Sequence, residues 1–202
     1  YKPFYEKPPL FFWLQSISMH VFGINEFAAR LPNVISGLLV ITLLFKLGKH
    51  WFNKRIAVLW TLSYLGSILP LLYHKSGIID PWFNLFIFSF LAAWIEGSRR
   101  NELKWFLISG ALAGMAILTK GPVAPLIMGL VILLLRLFSK DKRSLSFRGS
   151  LAFLLACVVI SGTWFGLEWL AHGPEFLTAF ITYQAELLSQ SVAGHKGFPG
   201  YH

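Results

Sequence analysis

The chain has 202 residues, of which 55% are hydrophobic and only 13% charged, with a formal net charge of +9. A soluble domain carries about 25% charged residues, and a water-soluble fold of this size cannot bury the six long apolar runs found here. The composition excludes an ordinary soluble protein, and with it the nucleic-acid partner that a strong positive charge suggests in a soluble domain.

In chain order, the first apolar segment is 8–22, Pro-Pro-Leu-Phe-Phe-Trp-Leu-Gln-Ser-Ile-Ser-Met-His-Val-Phe. It is too short to span and contains Gln15 and His20, so it reads as a juxtamembrane helix on the outer leaflet, opened by the Pro pair. Six runs of roughly spanning length follow, at 29–47, 56–73, 80–97, 103–119, 122–138 and 149–171. Lys120-Gly121-Pro122 divides the fourth from the fifth as a tight hairpin, because Gly and Pro interrupt a helix. After the last span, 174–190 sets Phe176, Leu177, Phe180, Ile181, Leu187 and Leu188 at helical spacing among Glu175, Gln184 and Glu186. This is the pattern of an amphipathic surface helix. The expected fold is all-α, a polytopic membrane helix bundle forming one transmembrane domain fragment over 1–202. Single Cys157 lies inside an apolar run, so neither a disulfide nor a thiol metal site is expected.

The connecting segments alternate in charge. Lys46, Lys49, Lys54 and Arg55, then Arg99, Arg100 and Lys104, then Arg136, Lys140, Lys142, Arg143 and Arg148 hold twelve of the eighteen Lys and Arg. The positive-inside rule places these three segments in the cytoplasm. Glu6, Lys7, Glu26, Arg30, His74, Lys75, Asp80, Lys120, His195 and Lys196 then collect on the outer side. Many are ordinary solvated helix ends; Glu26, Lys75 and Lys120 read that way. Asp80 lies between Ile79 and Pro81, where an unpaired carboxylate is costly, and reads as a functional acid that also caps its helix. Lys7, beside the free N–H groups of a helix start, suits a lipid phosphate.

Tyr5-Glu6-Lys7-Pro8-Pro9-Leu10-Phe11-Phe12-Trp13, followed by Phe22-Gly23-Ile24-Asn25-Glu26-Phe27-Ala28-Ala29-Arg30-Leu31-Pro32, resembles the first-loop signature of bacterial membrane glycosyltransferases. These enzymes are similar to the lipid A aminoarabinose transferase and to dolichyl-phosphate-mannose-protein mannosyltransferases. The resemblance continues at Asp80-Pro81, at Leu118-Thr119-Lys120-Gly121-Pro122 and at Gly194-His195-Lys196-Gly197-Phe198-Pro199-Gly200-Tyr201.

It implies a C-type glycosyltransferase that moves a sugar from a polyprenyl-phosphate-sugar donor to a lipid, protein or glycan acceptor. The site would lie on the periplasmic face of a bacterial inner membrane. Lys7 matches the family's phosphate-binding Lys, with Lys196 and His195 as a second donor-phosphate contact. Glu6 and Asp80 match acidic residues that act in catalysis or hold a divalent metal cation. The family's main catalytic Asp falls upstream of residue 1, so the chain is expected to be an internal fragment, inactive alone. A transporter or flippase would place ionisable groups at mid-membrane, where only Glu168 is a candidate, near the outer end of its span. A non-catalytic assembly subunit would need no convergent acids and bases.

Overall fold

A computed structural model describes residues 7–138 and 146–189. All regular structure among them is helical, in the order α1 (Leu10–Phe22), α2 (Glu26–Trp51), α3 (Lys54–Leu65), α4 (Ile68–Lys75), α5 (Asp80–Arg100), α6 (Leu103–Lys120), α7 (Val123–Phe138), α8 (Phe147–His172) and α9 (Pro174–Ser189). The all-α bundle read from the sequence is therefore the fold. Helices α2, α6 and α8 are long and apolar enough to cross a membrane by themselves, and α3 with α4 makes a fourth if taken as one broken span. The runs at 80–97 and 122–138 are helical as α5 and α7. Charged residues near both ends of α5, and the 16-residue length of α7, set them apart from those three.

The run at 56–73 is not one straight helix. It breaks between α3 and α4 with a bend of 62°. In a continuous helix the ring of Pro70 would strike the carbonyl of Gly66 and leave it without an N–H partner. The chain instead ends α3 at Gly66, whose N–H bonds to Leu62, and restarts with Pro70 in the first turn of α4. Pro32 creates the same deficit inside α2, at the carbonyl of Ala28. Here the helix continues, and the buried hydroxyl of Ser18 in α1 donates to that carbonyl at 2.7 Å.

The tightest packing joins α6 to α8. A side chain at Gly110 would overlap the Phe153 carbonyl, and a Cβ at Gly114 would lie 2.8 Å from Cβ of Ile160. This Gly-x-x-x-Gly stripe lets the two backbones approach closely, which is how helices associate where lipid supplies no hydrophobic drive. Beside it, Trp94 stands edge-on to Phe106 and Phe153, with ring centroids 5.1 Å apart in both pairs. Cys157 is buried in the same core.

The ends of the helices separate into two groups. Trp51 Nε1, His50 Nε2 and Arg100 Nε all meet the carboxylate of Glu96, at 2.7, 3.1 and 2.8 Å. These residues join the C-terminal ends of α2 and α5 at the end of the bundle where the basic residues lie. Glu96 is only 5% exposed. Glu96 lies near the C-terminal end of α5, and its burial is tolerated because three donors, the guanidinium of Arg100 among them, satisfy its carboxylate. Glu168 itself pairs with His172 one turn on, at 2.8 Å. The start of α2, the end of α4, the start of α5 and the end of α6 meet at the opposite end.

Candidate active site at the Lys7–Asp80–Lys120 cavity

The end opposite the basic residues is braced by hydrogen bonds that cross long stretches of sequence. Asn33, fully buried in α2, donates both amide protons, to the carbonyls of Ser76 and Ile78, at 2.5 and 2.8 Å. Gln15 in α1 donates to the Ala29 carbonyl at 3.0 Å and reaches that of Gly77 at 3.5 Å. Trp82 Nε1 donates to the Pro32 carbonyl at 3.1 Å. Segment 76–79 cannot bond to itself as a helix or sheet would, so side chains from α1 and α2 satisfy its carbonyls. The last residue it delivers is Asp80.

Asp80 is the first residue of α5, and its side chain makes no capping bond. The expectation of a capping acid is corrected by geometry. Asp80 accepts instead from Lys120 Nζ at 2.6 Å. The ammonium of Lys120 also lies over the Phe83 ring, 5.4 Å from its centroid. Lys120 ends α6, and Gly121 follows at φ +66, the left-handed region that favours glycine. A Cβ there would meet Phe180 of α9 at 3.0 Å and Pro8 at 3.6 Å. The expected hairpin at Lys120-Gly121-Pro122 is present, and it does more than turn the chain. It presses Lys120 against Asp80 beneath the first turn of α1 and the aromatic face of α9. Phe176 and Phe180 of that face are buried against Trp164 and Phe165.

Lys7, Asp80 and Lys120 line one cavity of about 380 Å3, together with Gln15, Thr119 and Tyr183. The two residues that the sequence singled out, 73 positions apart, are thus brought to the same space. Lys120, read from the sequence as a solvated helix end, is a third member. The signal that could have identified it was the costly carboxylate at Asp80, which required a cation from elsewhere in the chain. Lys7 also borders a second, open groove of about 510 Å3, walled mainly by the apolar Trp13, Leu118, Ile160, Trp164 and Leu167, with Thr163 and Glu168 beside them. Glu6, His195 and Lys196, named from the sequence, lie outside the described residues.

The divalent metal expected at Glu6 and Asp80 gains no support. Among the described residues no three His, Cys, Asp or Glu side chains converge, and Asp80 is already neutralised by Lys120. Among the described residues Asp80 is the cavity's one carboxylate and is paired with an ammonium, whereas a metal site needs several anionic or neutral donors. The site as described offers two cations, one carboxylate and an adjoining apolar groove.

The same arrangement of helices is found in known proteins. The family profile described as dolichyl-phosphate-mannose-protein mannosyltransferase matches residues 6–165. An uncharacterized protein of Aquifex aeolicus (strain VF5) is 31% identical over 183 residues, covering 89% of this chain and 40% of its own length. The undecaprenyl phosphate-alpha-4-amino-4-deoxy-L-arabinose arabinosyl transferase of Pseudomonas aeruginosa (strain UCBPP-PA14) is 32% identical over 163 residues, covering 77% of this chain and 29% of that protein. The crystal structure of ArnT from Cupriavidus metallidurans bound to undecaprenyl phosphate superposes with a TM-score of 0.80 at 27% identity, over 92% of this chain and 35% of that one. The chain spans well under half the length of these proteins. Its helices, its motifs in their order and the match over 6–165 agree: the chain belongs to the dolichyl-phosphate-mannose-protein mannosyltransferase family of membrane glycosyltransferases.

Proposed function

We propose that this chain forms the donor-binding part of a membrane glycosyltransferase that transfers a sugar from a polyprenyl phosphate to an acceptor hydroxyl or phosphate. The observation that carries the reading is the convergence of Lys7, Asp80 and Lys120 on one cavity, with an apolar groove beginning at Lys7. An isoprenoid chain fits a wall of Trp, Leu and Ile, while its phosphate requires cations where the chain leaves the lipid. The relatives named as undecaprenyl phosphate aminoarabinose transferases, and the undecaprenyl phosphate of the ArnT crystal structure, support that donor class.

In this mechanism the acceptor oxygen attacks the anomeric carbon and the bond from that carbon to the phosphate oxygen breaks. The bonding pair leaves with the phosphate, and the acceptor proton passes to a carboxylate. Negative charge grows on the departing phosphate. Lys7 stabilises it, and Lys120 adds a second positive charge at the cavity wall; such fixed charges act more strongly in a partly dry site than in water. Asp80, held by Lys120, orients the acceptor. Lys196 and His195 are proposed as a further phosphate contact, and Glu6 as an acidic neighbour of Lys7. The site faces the periplasmic side of a bacterial inner membrane, because the basic segments crowd the other end. Helices α1, α6 and α8 wall the groove for the isoprenoid chain, and α9 lines the cavity beside it.

The test is transfer from a radiolabelled polyprenyl-phosphate sugar by the membrane protein carrying this chain. Lys7→Ala and Asp80→Asn should each abolish transfer with expression unchanged. If both variants remain active, the site is wrongly assigned.

A further inference from the structure

On the other side of α5 lies a second cavity, of about 390 Å3, between α2, α3, α4 and α5. Its walls are apolar (Val40, Leu44, Trp60 and Phe88 among them), but four polar side chains face it: Tyr64, Tyr73, His74 and Asn84. No Asp, Glu, Lys or Arg lines it. The cavity at Lys7, Asp80 and Lys120 holds both carboxylate and ammonium groups; this one holds neither.

The polar groups are arranged rather than incidental. His74 Nδ1 lies 3.0 Å from the carbonyl oxygen of Asn33, which can only accept, so this nitrogen carries the proton. In the neutral ring Nε2 is then an acceptor, and it receives the Tyr64 hydroxyl proton at 2.9 Å. The Tyr64 oxygen keeps its lone pairs for a donor in the cavity. Gly37 makes this placement possible, since a Cβ there would lie 3.1 Å from the imidazole Cγ. Tyr73 and Asn84 have no side-chain hydrogen-bond partner among the described residues, and Asn84 is exposed one turn inside α5. An amide beside apolar walls without a partner is costly. Two unpaired polar side chains and one oriented acceptor, at one end of an apolar cavity, call for a ligand with hydroxyls at its head and a hydrocarbon chain.

We infer that this cavity binds an uncharged, hydroxyl-headed acyl lipid of the diacylglycerol class, with its head at Tyr64, Tyr73 and Asn84 and a chain against Trp60 and Phe88. With no Lys or Arg in its walls, the cavity selects against phosphate-headed lipids, which would leave a buried charge unpaired.

The experiment uses the purified membrane protein in phosphatidylcholine nanodiscs carrying a trace of diazirine-labelled diacylglycerol or, separately, phosphatidic acid with the same labelled chain. Peptides containing Trp60, Tyr73 or Phe88 should be labelled by diacylglycerol and little by phosphatidic acid. Excess unlabelled diacylglycerol should compete and phosphatidic acid should not. Asn84→Leu should cut labelling about tenfold, the worth of one lost hydrogen bond, while Asn84→Gln retains it. Equal labelling by both probes, or failure of diacylglycerol to compete on the unaltered protein, would mean bulk lipid merely fills the space and would overturn the inference. Sugar transfer is not read in this experiment, so its outcome is separate from that of the proposed reaction.

Discussion

Replacing Lys120 by Met should weaken donor binding substantially, and adding Asp80→Asn should restore most of it. The charged residues described around the cavity are Lys7, Lys120 and Asp80, a net of one positive charge. A sphere of the cavity's 380 Å3 volume is about 9 Å across, and at that separation, with an effective dielectric of about 20, one unit charge changes the energy of a bound phosphate by about 2 kcal/mol. That corresponds to about thirty-fold in affinity. Lys120→Met removes the positive charge and leaves Asp80 unpaired, so the phosphate meets no net attraction. In the double variant Lys7 remains without an opposing carboxylate, and the net charge returns to that of the wild type. Asp80→Asn alone should abolish transfer without weakening donor binding. The assay is equilibrium binding of radiolabelled undecaprenyl phosphate to the protein in nanodiscs at low ionic strength, where screening is least. A double variant as weak as Lys120→Met would refute the reasoning, because Lys120 would then act through a specific contact and not through the balance of charge.

Three further outcomes follow from the packing and the hydrogen bonds. Asn33→Leu leaves the carbonyls of Ser76 and Ile78 without donors, at about 1–3 kcal/mol each; thermal unfolding should fall and transfer should drop with it, through the displaced Asp80. Gly110→Ala should destabilise by about 3 kcal/mol, since the clash is with backbone that cannot rotate away, whereas Gly129→Ala, with nothing within 4 Å of the added carbon, should be neutral; equal unfolding temperatures would exclude the close α6–α8 approach. Glu96→Gln should cost about 1–2 kcal/mol, below the usual range for a broken buried pair because His50 and Arg100 are about half exposed, and should leave donor binding unchanged, since Glu96 lies at the far end of the bundle.

Much of this protein was legible in its residues. Apolar length and the sparsity of charge determined a membrane helix bundle, the clustering of Lys and Arg divided its ends, and Gly121-Pro122 announced a hairpin. These properties are local or compositional, so they can be read without knowing which helix packs on which. The length of segment 8–22 also kept Lys7 and Asp80 at one end, and α1 is indeed a 13-residue helix at that end. What the tertiary structure alone decided was pairing. Asp80 looked like a cap because Pro81 follows it, but a carboxylate takes the strongest donor in reach, and Lys120 arrives from 40 positions away. The break at Gly66 came from Pro70 having no partner to offer the preceding turn, while Pro32 left α2 unbroken because Ser18 supplied the missing bond. One residue type thus had opposite outcomes according to a neighbour that the local sequence cannot show. Lys120 entered the site for the same reason. The sequence determined which charges lie at this end of the membrane, and only the fold decided which of them neutralise one another and which face a shared cavity.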